Sequence, residues 1–242
     1  MPLYQERFYR SRMDSPGWTA FTVQVKETDL WIRAKKDCSK KGYERVFQYR
    51  NYLETYIHHH PRFKESLIPL AMEATAPAII QSMLQAGIAA GVGPMAAVAG
   101  AMAEFVGLDL LAETEELVIE NGGDLFLSCR EPMTVGIFAG KSPLSGKVGI
   151  RLPADQRSRG LCTSSGTVGH SLSFGRVDAV TILSSSAALS DAVATATGNR
   201  VRTARDIQPA LDFARQIEGI EGALVIIGEQ MGVWGGMELV TL

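Results

Sequence analysis

Residues Gly160 to Asn199 read GLCTSSGTVGHSLSFGRVDAVTILSSSAALSDAVATATGN, and the fold is decided there. The second half changes period. Val177 to Leu183 is rich in Val, Ile and Thr and reads as a strand. Ser184 or Ser185 then caps a helix from about Ala187 to Thr197, which Gly198 or Asn199 ends. The first half crowds hydroxyls and glycines around one isolated histidine, His170. A core segment has no need of so many small polar groups beside an imidazole, whereas a phosphorylated ligand and a hard cation do.

Working outward, Phe21–Val25 and Leu30–Ala34 alternate apolar and polar residues and form a hairpin around KETD. A charged, aromatic helix runs from about Ser39 to His58, and Pro61 helps to end it. Ser66–Ala90 and Met95–Val106 read as helices, the second entered through Pro94. Glu116–Glu120 and Leu125–Cys129 are strands joined by Asn121-Gly122-Gly123-Asp124. Met133–Phe138 and Lys147–Leu152 are further strands, Ile207–Gln216 is a short helix, and Ala223–Ile227 and Glu238–Thr241 are strands around the loop GEQMGVWGG. Strands and helices mix without a βαβ rhythm, so the fold class is α+β: one domain over residues 1–242, with a mixed or antiparallel sheet and packed helices.

Composition narrows the function classes. The chain has 242 residues, a formal net charge of -2 and 46% hydrophobic residues, as expected of a globular protein. This charge gives no footprint for nucleic acid or for an anionic membrane. Ala74–Ala103 is long and low in charge, but Gln81, Ser82, Gln85 and its glycines favour two buried helices over a span. Those helices could pack within the subunit or across a homodimer. Cys38, Cys129 and Cys162 form neither a metal motif nor a disulfide framework, which points to reduced thiols in the cytoplasm.

Four groups of residues carry the chemistry. In Thr163-Ser164-Ser165-Gly166-Thr167, glycine lets backbone amides approach a ligand and hydroxyls add donors; the competing reading is a surface turn. His170 is either a hydrogen-bonded structural histidine or a neutral imidazole that binds a ligand or moves a proton. Asp191 and Thr195 are four apart on a helix and share a face. Their oxygens suit Mg²⁺ or Ca²⁺ completed by phosphate and water, although an Asp near a helix start also suits the dipole. An Asp lining a cleft adds little to packing, so Asp191→Ala is expected to remove a metal-dependent step and leave the fold intact. Asn121, Gly122, Gly123 and Asp124 are either a hairpin turn or a close backbone approach to a ligand. The run His58-His59-His60 reads as a solvated helix end, because adjacent helical side chains diverge.

In this order the elements resemble the ApbE family of flavin transferases. Asn121-Gly122-Gly123-Asp124 resembles its GGD turn, Thr163-Ser164-Ser165-Gly166 its TSG element, Ala179-Val180-Thr181-Ile182 its VTV strand, and Ser190-Asp191-Ala192-Val193-Ala194-Thr195-Ala196 its ADALATA helix. His170 stands at the family's histidine. The resemblance covers about Gly93 to Asn199 and implies an FAD or FMN pocket, with Mg²⁺ held by Asp191, Thr195 and a backbone carbonyl near Ala96. It also implies a protein acceptor that receives FMN on a threonine. Two departures stand out: GVGPMAAVAG replaces GGIAKGYA, putting Ala97 at the lysine position, and SLSFGR follows His170 in place of IDPxTG. A noncatalytic flavin- or nucleotide-binding or carrier protein is therefore the alternative.

Overall fold

The computed structural model describes residues 17–166 and 175–242. Its chain runs β1 (Thr19–Val25), β2 (Thr28–Ala34), α1 (Ser39–His59), α2 (Arg62–Glu65), α3 (Ala78–Ala90), a 3-10 turn (Pro94–Ala97), α4 (Val98–Leu110), β3 (Leu117–Asn121), β4 (Asp124–Cys129), β5 (Met133–Gly136) and β6 (Val148–Leu152). It continues through β7 (Asp155–Ser164), β8 (Ala179–Ser184), α5 (Ala187–Gly198), a 3-10 turn (Ala204–Asp206), α6 (Ile207–Arg215), β9 (Ile220–Ile227), β10 (Gln230–Gly235) and β11 (Glu238–Thr241).

Eight strands form one sheet in the order β1-β2-β3-β4-β7-β8-β9-β10, and β11-β6-β5 form a second. Every pairing among the described residues is antiparallel. The class is α+β, as the mixed order of elements predicts.

Period-two alternation divides the large sheet between two cores. Ile119, Phe126, Cys162, Val180, Ile182, Ala223 and Val225 pack against the helices. Their neighbours Val118, Leu125, Leu127, Leu161, Ala179, Leu183, Leu224 and Ile226 pack with Val135, Ile150 and Leu152 of the small sheet. The central strands are buried on both faces, which is why AVTIL and ALVII are nearly continuous apolar runs.

The structure departs from the sequence reading in four places. The helix expected over Ser66–Ala90 begins only at Ala78, after Pro77; Pro69 and Pro77 lack amide hydrogens and disfavour α geometry in the residues before them. α5 is capped by Ser186, one residue beyond the expected serines, with its side chain accepting from the Leu189 amide. The stretch GEQMGVWGG, expected as a loop, contains the edge strand β10, and Trp234 pairs with Ala223. The fourth is β7, ten residues in a strand that polar DQRSR conceals; Arg159 is buried there and ion-pairs with Asp155 and Glu221.

No single helix among the described residues is long and apolar enough to cross a membrane. α3 and the segment Pro94–Leu110 meet that test only together, bent by 107°. Ile79, Ile80, Met83 and Leu84 of α3 and Met102 and Val106 of α4 are buried within the chain.

β7 and the start of α5 meet at Gly160, where a Cβ would lie 2.3 Å from Ala187 Cα and 2.5 Å from its nitrogen. Backbone cannot yield there as a side-chain tip can, so Gly160→Ala should cost at least about 2 kcal/mol. Thermal unfolding checks this, and an unchanged midpoint would refute the contact.

Candidate functional site

Two helix N-termini are held by carboxylates that come from the opposite helix. α4 has no side-chain cap of its own at Ala97. Asp191 of α5 takes that place, with Oδ2 accepting from the Gly100 amide at 2.9 Å. In return Glu104 of α4 reaches the start of α5, where its Oε2 accepts from Ser186 Oγ at 2.9 Å and from the Ala188 amide at 3.0 Å. The helices approach closely because residue 100 is glycine: a Cβ there would lie 2.2 Å from the Ala187 carbonyl oxygen and 2.8 Å from Asp191 Cβ. Each negative charge sits against the positive end of a helix dipole.

The NGGD segment is a two-residue hairpin turn. Asn121 pairs with Asp124 across it, and Gly122 and Gly123 have φ of 71° and 113°. Positive φ at both central positions accounts for the two glycines. The turn also ties the site together. Asn121 Nδ2 donates to the Ala99 carbonyl at 3.1 Å, at the same helix start that Asp191 caps, and the Thr163 amide donates to the Gly123 carbonyl at 3.2 Å.

Asp124, at the first position of β4, is buried on the helix side beside Cys162. Burial raises its carboxyl well above the ordinary value, and the negative charge of Asp191 raises it further. Burial likewise pushes Asp191 up to about 7, against the pull of the Gly100 and Ala99 amides. The Cys162 thiol is raised by burial first and then by Asp124, so it is an inert neighbour of the carboxylates. Glu104 is raised by burial, opposed by its donors from Ala188 and Ser186.

The sheet separates residues that stand together in the sequence. Thr163 Oγ1 lies 2.9 Å from Thr181 Oγ1, on the face shared by Ala179 and Leu183, away from the helices. Ser164 turns to the helix side, its Oγ 3.9 Å from where a Cβ on Gly198 would sit. Gly166 donates its amide to the Val177 carbonyl at 2.9 Å, and a Cβ there would strike the Gly175 carbonyl oxygen at 2.4 Å. Ser165 is half-buried between them. Thr167 and His170 lie outside the described residues.

Thr195 is half-buried, one turn beyond Asp191 on α5, and Ala96 is half-buried in the 3-10 turn that α5 packs against. The helix face thus brings together Asn121, Asp124, Asp191, Ser164 and the start of α4. No three His, Cys, Asp or Glu side chains among the described residues make a complete metal cage. A cation held here would need hydroxyl, carbonyl and ligand oxygens besides the carboxylates.

The reading of Asp191 as a cleft residue of little structural weight is corrected. It is 9% exposed, and its carboxylate replaces the missing cap of α4, so Asp191→Ala disturbs folding as well as any bound cation. Glu104 was missed altogether. Nothing in AMAEFVG distinguishes it from an ordinary helical glutamate.

A family model described as AbpE bacteria matches residues 10–233, and the chain belongs to that family. A UPF0280 protein of Methanocaldococcus jannaschii is 40% identical over 225 residues, covering 90% of this chain and 91% of that protein. Another from Methanocella arvoryzae is 38% identical over 213 residues, covering 88% and 86%. Among solved structures, the flavinyl transferase ApbE of Pseudomonas stutzeri, apo form, is similar with a TM-score of 0.58 at 15% identity, covering 90% of this chain and 94% of that one. The ApbE protein of Thermotoga maritima gives 0.54 at 13% identity, covering 89% and 96%. At such identities the likeness is one of fold.

Two outcomes follow from the exchanged caps. Glu104→Ala strands the Ser186 hydroxyl and the Ala188 amide and should cost about 1–3 kcal/mol in urea unfolding, while Glu104→Gln, which keeps an acceptor, recovers much of that. Equal losses in the two variants would show that the cap carries no weight. For Asp191 the sign is set by a folded value of about 7 above the ordinary 3.8. Between about pH 4 and 7 the folded state keeps a proton that the unfolded chain has lost, so this group's contribution to stability falls as pH rises. Asp191→Asn cannot ionise, so its stability relative to the parent should improve across that window; a constant difference would contradict the burial of the charge.

Proposed function

We propose that the protein binds a flavin nucleotide, FAD or FMN, against the NGGD turn, the end of β7 and the α4–α5 junction. The carrying observation is that Asn121 and Asp191, seventy positions apart in the chain, meet at one helix start through the Ala99 carbonyl and the Gly100 amide, with Asp124 paired to Asn121 across the turn. Membership of the AbpE bacteria family supports a ligand of this class. The flavinyl transferase named in the Pseudomonas stutzeri structure has the same fold.

The donor set fits Mg²⁺ and not a soft metal. Asp191, Thr195 and the Ala96 carbonyl would supply oxygens only, and a divalent cation would offset the burial cost that raises both aspartates. When bound, Mg²⁺ neutralises phosphate charge. The chain's own residues then position the ligand. Asn121 and the turn glycines set one wall, Ser164 and Ser165 another, and Asp191 anchors the start of α4.

In the transferase reading, the hydroxyl of an acceptor threonine attacks the FMN-side phosphorus of FAD. The diphosphate bridge breaks and AMP leaves. His170 is the candidate proton carrier. Three free, separated thiols favour a reducing compartment, and we place the protein in the cytoplasm.

A second reading rests on specific residues. Ala97 stands where transferases carry lysine, and SLSFGR follows His170, so the cleft could serve a flavin carrier that has lost the transfer step. Isothermal titration with FAD, FMN and ADP, followed by an assay for AMP release with and without Mg²⁺, separates the two. The transferase reading expects flavin binding, Mg²⁺-dependent AMP release, and at least about a tenfold loss in Asp191→Asn and Thr195→Ala, the effect of removing one inner ligand of a hard cation. The carrier reading expects binding without AMP. Absence of binding by FAD, FMN and ADP at high micromolar concentration refutes both.

A further inference from the structure

The end of α5 carries a positive rim that the flavin reading leaves unused. Residues 199–205, Asn-Arg-Val-Arg-Thr-Ala-Arg, hold three arginines and no acid. Arg176 joins them in space, because its amide donates to the Val201 carbonyl at 2.9 Å. This rim adjoins the candidate site through backbone contact. A Cβ on Gly166 would meet the Gly175 carbonyl oxygen at 2.4 Å, and one on Gly175 would meet the Gly198 carbonyl oxygen at 2.0 Å. The TSSG element, the segment before β8 and the end of α5 are therefore pressed together.

Arg200 already has structural work. Its Nη1 donates to the Ala196 carbonyl at 2.6 Å, and its guanidinium sits 3.6 Å from the Phe213 ring centroid. Arg176, Arg202 and Arg205 have none of this kind. All three are exposed, and no ion pair among the described residues includes them. Asp206, the nearest acid in sequence, accepts from the amides of Arg202 and Thr203 and from Thr203 Oγ1, which closes the 3-10 turn; its charge also lies in the field of Arg202 but forms no ion pair with it. Lys26, Arg50 and Arg130 each meet a glutamate. Lys40, Arg62 and Lys64 are exposed and outside the ion pairs among the described residues too, so what distinguishes the rim is that the Arg176–Val201 hydrogen bond brings its arginines into one place.

We propose that this rim docks an acidic segment of a partner protein at the mouth of the site. The whole chain has a formal net charge of -2, so attraction must come from the local field of these arginines and not from overall charge. Exposure decides the kind of ligand. A solvated guanidinium–carboxylate pair is worth at most about 1 kcal/mol, so a small anion meeting one arginine gains little. An extended acidic chain meeting three at once gains their sum, and each guanidinium fork accepts a carboxylate in two-point geometry. The proposal does not depend on flavin binding.

The test uses a fluorescein-labelled peptide of alternating glutamate and serine, with anisotropy measured across a salt series. The parent protein should bind it, more weakly as salt screens the rim. The triple variant Arg176→Glu, Arg202→Glu, Arg205→Glu should bind at least about tenfold more weakly, the loss of three modest contacts. Reversal of three exposed cations on α1 and α2, Lys40→Glu, Arg62→Glu and Lys64→Glu, changes net charge equally and should shift affinity less than about twofold. Circular dichroism and FAD titration of both variants report whether fold and cleft survive. The proposal fails if the parent does not bind the peptide, if the rim variant binds as the parent does, or if both variants lose equally. It also fails if ADP, inorganic phosphate or a single-stranded oligonucleotide displaces the labelled peptide better than the unlabelled peptide does.

Discussion

Asp191 and Glu104 exchange places across the α4–α5 contact, each satisfying the N-terminal amides of the helix to which the other belongs. Four amide hydrogens at a helix start have no partner within the helix, and a buried start needs acceptors from elsewhere. Here the acceptors come from the neighbouring helix, so neither α4 nor α5 is complete without the other. Gly100 permits the approach, since any side chain would overlap Ala187 and Asp191. Burying two carboxylates is costly, and amide donors with aligned dipoles offset that cost only while the geometry holds.

The same interaction places the site. Asp191 can cap α4 only from the inner face of α5, and that face turns it toward Asp124 on β4. Asn121 hydrogen-bonds the Ala99 carbonyl, so the hairpin turn is pinned to the same helix start. One carboxylate thus serves the packing of two helices and also lies in the field of Asp124. That double duty explains why a residue with ligand chemistry is also buried, and why its carboxyl is pushed up to about 7. The large sheet supplies the rest by sorting residues to its two faces: Cys162 and Ser164 go to the helices, and Thr163 goes to the small sheet.

Much of the fold was legible because it rests on local periodicity. The alternation in FTVQV and LWIRA, the β-branched run AVTIL and the two positive-φ glycines of NGGD each carry their structure in a few neighbouring residues. β7 was not legible, since its polar DQRSR half is stabilised by Arg159 meeting Asp155 and Glu221, the latter from a strand far along the chain. The start of α3 was misplaced because apolar composition continues through Pro69 and Pro77, while helix geometry does not. Among the candidate residues, Asp191 and Asn121 stand out by type and spacing, and the structure brings both to the start of α4. Glu104 does not, because its role exists only once Ser186 and Ala188 stand opposite it.

By itself the sequence determined the α+β class, the hairpins, the serine-capped helix and the family resemblance, since each is written in contiguous residues whose conformational preferences act over a turn or a strand. Only the tertiary structure decided that Asp124 and Asp191 share one buried environment, that Thr163 and Ser164 face opposite cores, and that two helices cap each other. Those outcomes depend on which surfaces meet when chain segments far apart are brought within a few ångströms. Coulombic and hydrogen-bond energies are set by that distance and by the exclusion of water, and neither quantity is encoded in the spacing of residues along the chain.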